Sequence, residues 1–241
     1  MKMLKAPHIL AGVMAMSLLS ACGDSDSPDV MMPEPVEPAP TVTYRYQINV
    51  VNLTYAQPMS PIAAMTHNEG NIWQIGESAS MALEQIAESG DNTALLAESY
   101  VTSGVSGEGI LMPGMAEMLE VSTTDDPPQS ISLVTMLVNT NDAFTGINAM
   151  DISNMSVGES ISIRTGSYDA GTEKNSESMA SIPGPASGGS GEGFNEARDD
   201  VDFVAMHPGV VTADDGLSGS VLTQAHRFDN PTLAVTITRV E

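Results

Sequence analysis

The sequence has little cysteine and few basic residues, and each shortage excludes a class of function. It contains one cysteine, Cys22, so an intrachain disulfide and a cysteine-based metal site are excluded. Eight Lys and Arg residues stand against 31 Asp and Glu residues, a formal net charge of −23 at pH 7. This charge argues against nucleic acid as a partner, because phosphate binding requires a basic surface. It favours divalent cations, or basic or neutral partners; a merely solvated acidic surface is the alternative.

The N-terminal apolar run is too short to span a bilayer comfortably. Two lysines precede this run, which extends from Ile9 to Leu19, and the small-residue stretch "LSAC" ends it at Cys22. This order is typical of a cleaved export signal. The stretch "LSAC" resembles the bacterial lipobox, which implies removal of residues 1–21 and lipidation of Cys22. A plain signal peptide with an incidental cysteine is the alternative.

The resemblance to a lipobox predicts where the protein resides. We expect an exported protein of the cell envelope that contacts the membrane only through its lipid anchor. Gly23, not aspartate, follows the cysteine, and by analogy with enterobacterial sorting this favours the outer membrane. Residues 22–40 are rich in proline and acids and predict an extended tether, and residues 41–241 then form one domain.

The domain is predicted to be mainly β. Alternating apolar residues predict strands at both ends of the domain, and further strands are predicted at Ser130–Thr140 and Ser160–Thr165. One helical insertion is predicted from Glu77 to about Glu88, with Gly90 as its stop. Many short strands separated by turn signals indicate an antiparallel β-sandwich with a short helical insertion.

Motifs of the common hydrolases and nucleotide-binding proteins are missing. The sequence has no G-x-S-x-G elbow, no H-E-x-x-H and no phosphate-binding glycine loop. We therefore expect no enzymatic activity. The alternative is an envelope-associated hydrolase with an unrecognised site around His67 or His207, because a catalytic triad assembles in space and leaves no fixed spacing.

Acidic residues follow two of the predicted strands. Asp142 follows the Ser130–Thr140 strand, while Asp169 and Glu173 flank Gly171 after the next predicted strand. If the two strands are neighbours in one sheet, the three carboxylates converge at its edge. Ca²⁺ prefers six to eight oxygen ligands of this kind. On spacing alone, both a calcium site and a solvated turn remain open.

Several segments together resemble the spondin N-terminal domain of F-spondin and related extracellular matrix and exported bacterial proteins. The matching segments occur in the order "SPIAAMTHNEGNIW", "GESAS" with "AESGD", "NDAFTG" and "DAGTE". The resemblance implies a C2-like β-sandwich with a bound Ca²⁺ held by Asp142, Asp169 and Glu173. Glu173 stands where the family has aspartate, so its carboxylate reaches one methylene farther.

Other residues have an ordinary structural interpretation. Trp73 and the family-matching His67 and Asn68 are expected in the core or in satisfied loops. Five further acids are expected in solvated turns or at strand edges. The alternative is that one of them completes a cation shell. They are Asp199, Asp200, Asp202, Asp214 and Asp215.

The sequence therefore predicts a calcium-stabilised binding or adhesion module. Its partner would be an extracellular protein or glycan of unknown identity. Neither nucleic acid nor a lipid surface is expected as a ligand.

Overall fold

The computed structural model describes residues 39–241, in which Pro40–Glu241 form one compact unit. The predicted signal segment, Cys22 and all of the predicted tether except its last two residues lie outside the described residues. Ten strands and two helices follow in chain order. The strands are β1 (Thr43–Asn52), β2 (Ala63–His67), β3 (Val101–Ser106), β4 (Ala116–Thr124), β5 (Ser130–Met136), β6 (Ala143–Asp151), β7 (Ser160–Thr165), β8 (Ser167–Asp169), β9 (Ala205–Met206) and β10 (Leu233–Arg239). The helices are α1 (Met81–Ser89) and α2 (Thr93–Leu96).

The strands form two antiparallel sheets. One has four strands in the order β4-β1-β10-β7, and the other has six in the order β3-β2-β5-β6-β8-β9. Apolar side chains from the facing sides of both sheets share one core, for example Ile48 and Ile237 with Leu133 and Ile147. The prediction of a mainly β, antiparallel sandwich is confirmed.

A second apolar layer covers the outer face of the six-stranded sheet. Leu83 and Ile86 of α1 pack there with Val134 and Phe144. Trp73 belongs to the same cluster, as predicted, and its ring lies 5.2 Å from that of Phe144. The six-stranded sheet is therefore buried on both of its faces at its centre.

Helix α1 is shorter than the sequence predicted at its N-terminus. It begins at Met81 because the Ser80 side chain accepts a hydrogen bond from the Leu83 N–H at 3.2 Å. It ends as predicted, since Gly90 adopts a φ of 73° and donates its N–H to the Ile86 carbonyl. No helix in residues 39–241 has the length and apolar character that crossing a membrane requires.

The strand assignments differ from the prediction in two places. Strand β5 ends at Met136 and not at Thr140. Strands β5 and β7, whose pairing in one sheet was the condition for the acids to meet at its edge, lie in different sheets. The chain leaves the four-stranded sheet at Gly166, between β7 and β8, and joins the six-stranded sheet there.

A candidate metal centre

Strand pairing brings Asp142 and Asp169 together. Strand β8 pairs antiparallel with β6, and in this register Ala143 faces Asp169. Asp142 immediately precedes β6, and its carbonyl accepts the Ala170 N–H at 3.3 Å. The expected meeting of the two loops therefore occurs, but through the pairing of β6 with β8.

A glycine turn wraps the segment after β8 around Asp142. Gly171 has a φ of 71°, and a Cβ there would overlap the carbonyl oxygen of Phe203. The turn directs the N–H groups of Thr172 and Glu173 at Asp142 Oδ2, at 2.9 and 3.1 Å. Asp142 thus fixes the turn that carries the third acid.

One oxygen of Asp142 has no protein partner. Its side chain is fully buried, and Oδ1 has no hydrogen bond in the described residues. Burial, reinforced by the charge of Asp169, raises the pKa of Asp142 to about 7. A buried carboxylate oxygen without a donor is costly, so this atom favours either a proton or a cation.

The other two predicted ligands are partly engaged by protein donors. Asp169 accepts the Gly171 N–H at 2.9 Å and the Asn175 side-chain amide at 2.6 Å. Glu173 accepts the side-chain amide of Asn141 at 3.1 Å. Burial raises the pKa of Glu173 to about 8, and the charges of nearby acids add to this rise.

Two further buried acids enlarge the cluster, and sequence reasoning missed both. Glu88 in the last turn of α1 and Glu177 are each 1% exposed. Burial raises the pKa of both, that of Glu177 to about 7. Neither has a distinctive sequence signal: Glu88 precedes a helix end and Glu177 lies between two serines, and solvated acids occur equally often in both contexts.

Basic side chains do not balance this cluster. Within residues 39–241, no Lys or Arg forms an ion pair with Asp142, Asp169, Glu173 or either of the two additional acids. Arg198 pairs instead with Glu84 and Asp202. The acids therefore carry uncompensated charge whenever they ionise.

The carboxylates do not point at one common position. In the described part of the chain, no three His, Cys, Asp or Glu side chains are grouped in a way that could hold a metal ion. The reason lies in their hydrogen bonds, which turn Asp169 towards Asn175 and Glu173 towards Asn141. The donor chemistry suits a hard cation, and rotation of these two side chains would be needed to enclose it.

His207 lies beside the cluster and is neutral. Its Nδ1 accepts the Gly209 N–H at 3.0 Å, so the proton is on Nε2, which lies 3.9 Å from Asp169 Oδ2. Burial lowers the pKa of His207 to about 4. With a side chain that is 0% exposed, His207 is a buried neighbour of Asp169.

His67, the other histidine of the hydrolase alternative, lies in the core and is held by hydrogen bonds. His67 is fully buried, and its ring nitrogens lie 2.9 Å from the Glu69 carbonyl and 2.8 Å from Ser132 Oγ. Asn68, beside it, bonds to the loop at Gln129. This agrees with the predicted core role of His67.

The remaining acids fall into three kinds of environment. Asp215 caps a short 3₁₀ helix and pairs with Arg227, while Asp214 is exposed. Asp202 pairs with Arg198. Asp199 accepts the Lys174 N–H at 2.8 Å and so lies beside the candidate centre.

Comparison with known proteins identifies the family of the chain. The Spondin_N family model matches residues 52–184, a range that contains all three predicted ligands and α1. No curated protein matches the chain. Because the family match covers more than half of the sequence, the chain belongs to the Spondin_N family and carries a spondin N-terminal domain.

Proposed function

We propose that the protein is an exported, lipid-anchored spondin-type module that binds a structural Ca²⁺ ion and mediates binding or adhesion outside the cell. The observation that carries the calcium proposal is Asp142, a fully buried carboxylate with one oxygen that accepts no hydrogen bond from residues 39–241. Family membership and the acidic neighbours of Asp142 support the same proposal.

Each of the three acids has a distinct part in the proposed site. Asp142 presents its free Oδ1, while its Oδ2 stays bonded to the two amides of the turn. Asp169 and Glu173 rotate away from their amide partners to add carboxylate oxygens. When bound, the cation supplies the positive charge that the described side chains do not. The role is structural, because neutralising the acids locks the loops beside β6 and β8.

The expected affinity is that of an extracellular module. Such modules bind Ca²⁺ with a Kd of roughly 10⁻⁴ to 10⁻³ M. At about tenfold excess over Kd, binding adds about 1.4 kcal/mol to the free energy of unfolding. For a chain of this size that corresponds to a rise in Tm of about 3–6 °C.

A thermal melt tests the calcium proposal. The wild-type protein is melted in EDTA and in millimolar Ca²⁺, beside Asp142→Asn, Asp169→Asn and the exposed control Asp214→Asn. Wild type and control should gain Tm with calcium, and the first two variants should lose this gain. A wild-type melt that calcium leaves unchanged contradicts the proposal.

The partner and the location need separate tests. The proposed partner is a protein or glycan of the cell exterior, and a calcium-dependent pull-down from intact cell surfaces would identify it. The proposed anchor is the lipidated Cys22, so Cys22→Ser should move the protein from the membrane fraction to the soluble fraction. Unchanged membrane fractionation of that variant contradicts the anchor.

The hydrolase alternative has less support. His67 is fully buried with both ring nitrogens placed against protein oxygens, and His207 is also buried. Turnover on a panel of envelope and environmental polymers, abolished by His207→Gln but not by EDTA, would favour it over a binding module.

A further inference from the structure

A small acidic cavity lies beside the proposed calcium site. Its volume is about 70 Å³, and it lies between the end of α1, the turn after β8 and the 192–199 loop. Four carboxylates line it: Glu88, Glu173, Glu192 and Asp199. Neither Lys nor Arg contributes to its lining, and Asp142 and Asp169 do not line it either. The cavity is therefore a separate position that shares only Glu173 with the proposed site.

Glu88 brings a buried, unpartnered oxygen to this cavity. The residue is 1% exposed, and its Oε2 accepts the Asn195 N–H at 2.9 Å. Its Oε1 is buried and has no hydrogen-bond partner in the described residues. A carboxylate held in this way lacks the donors that its charge requires.

The position of Glu88 in α1 increases the need for a positive charge. It lies in the last turn of the helix, one residue before the helix ends at Ser89. Carbonyl groups at a helix C-terminus carry partial negative charge and favour cations there. The helix has no basic residue in its last turn, so the sequence does not supply that cation itself.

The loop on the far side of the cavity is held in place. The Asp199 N–H donates to the Thr172 carbonyl at 3.1 Å, and Asp199 Oδ1 accepts the Lys174 N–H at 2.8 Å. Glu192 accepts the Asn195 side-chain amide at 3.2 Å. Glu192 and Asp199 are exposed and line the cavity together with the buried Glu88, and their side chains would have to rotate towards it to enclose an ion.

We propose that this cavity is a second divalent-cation site, of the calcium class, with Glu88 as its buried carboxylate ligand and Glu173 shared between the two sites. The volume of about 70 Å³ admits one ion together with water. Carboxylates from two sides and water together supply the oxygen shell that such a cation requires. This second site goes beyond the proposed function. Its absence can be measured separately from the absence of the first calcium site.

Calcium stoichiometry tests the second site. Equilibrium dialysis with Ca²⁺ alone is carried out on the whole purified protein, on Glu88→Gln and on Asp142→Asn. The control is Glu196→Gln, which removes an exposed acid from the same loop without touching the cavity lining. Wild type and control should bind two ions per chain. Glu88→Gln and Asp142→Asn should each bind one, with the remaining affinity within about twofold of wild type.

The other outcomes distinguish the two sites. One ion in wild type that survives Glu88→Gln and is lost in Asp142→Asn overturns the second site and leaves the first standing. One ion lost only in Glu88→Gln overturns the first site and supports the cavity. Loss of both ions in Glu88→Gln overturns the inference of two separable sites, and no binding by wild type overturns both proposals.

A calcium-free thermal melt tests whether the Glu88→Gln variant folds as stably as wild type. Glu88→Gln keeps the shape of the side chain and removes its charge from the end of the helix, so its Tm in EDTA should equal or exceed that of wild type. A lower Tm in EDTA, together with unchanged calcium stoichiometry, would show that Glu88 acts only in packing and would overturn the proposal.

Discussion

The two sheets differ in what covers their outer faces, and the candidate centre lies on the sheet that is covered twice. Strand β10 alternates between buried and partly exposed residues, whereas β5 is buried at every position after its first. The outer face of the six-stranded sheet lies under α1 and its neighbouring apolar residues. Asp142 and Glu173 lie in the loops beside the paired strands β6 and β8 of this sheet, and the loss of water there raises their pKa values.

The largest losses of stability are expected from alanine substitutions in the core, and they are compared at two neighbouring residues of one strand in each sheet. In β5, Leu133→Ala and Val134→Ala should both destabilise, by about 3–4 and about 2 kcal/mol, because they pack on opposite faces that are both buried. In β10, Ile237→Ala should cost about 3 kcal/mol and Thr238→Ala less than about 0.5 kcal/mol. Urea unfolding measures all four. A low cost for Val134→Ala would contradict the burial of both faces.

The next effect compares an ion pair from each region. Arg198→Gln should destabilise by about 3 kcal/mol, because it leaves the fully buried Glu84 without its cation. Arg45→Gln should cost less than about 1 kcal/mol, because Arg45 and its partner Glu241 are 43% and 49% exposed. Denaturant midpoints in calcium-free buffer measure both. Equal losses of stability in the two variants would contradict the expectation that the buried ion pair matters more than the exposed one.

A smaller effect is expected from pH in calcium-free buffer. The folded pKa values of Asp142 and Glu173 are raised to about 7 and about 8, so the folded protein releases protons that the unfolded chain has already lost. Stability is fully present below the unfolded pKa values of about 4 and falls as pH rises through the folded values, with the last part of the fall between about pH 7 and pH 8.5. His207 stays neutral in both states above about pH 7, since its folded pKa is about 4.

Calcium and substitution provide the controls for the pH effect. The fall of Tm across this range should flatten in Glu173→Gln, because Glu173 has the higher folded pKa and loses most of its proton there. In wild type, calcium should bind more tightly as pH rises, because protons compete for the same carboxylates. A calcium-free stability that rises between about pH 7 and pH 8.5 would contradict the burial of these acids.

The smallest effect concerns the cap of the helix that covers the six-stranded sheet. Ser80→Ala removes the acceptor of the Leu83 N–H and should cost about 1 kcal/mol. The exposed Ser218→Ala is the control and should stay within about 0.5 kcal/mol of wild type. Urea midpoints of the two variants would be indistinguishable if the cap did not hold the helix.

Sequence reasoning succeeded where the periodicity was local. Strands β1 and β10 were predicted because successive side chains of a half-exposed strand alternate between core and solvent, and the sequence shows this alternation. The prediction for β5 ran four residues too far, since a continuously apolar strand carries no alternation that marks its end. The start of α1 was placed at Glu77 because helix formers extend upstream of the serine that caps it.

Local pattern did not reveal which strands are neighbours. Nothing in the sequence distinguishes a pairing of β5 with β7 from the observed pairing of β6 with β8, because both place Asp142 near Asp169. The cavity acids Glu88 and Asp199 were missed as a pair for the same reason. They are far apart in the chain and meet only when α1 packs beside the turn after β8.

The sequence by itself determined the mainly β class, the family and the three acids that the family pattern marks. It did so because side-chain alternation and motif order are properties of the chain. Tertiary structure alone decided that these acids are buried, that Asp142 keeps an oxygen without a donor and that Glu88 joins a neighbouring cavity. Desolvation and charge coupling depend on which distant segments pack together, and packing is a property of the folded molecule.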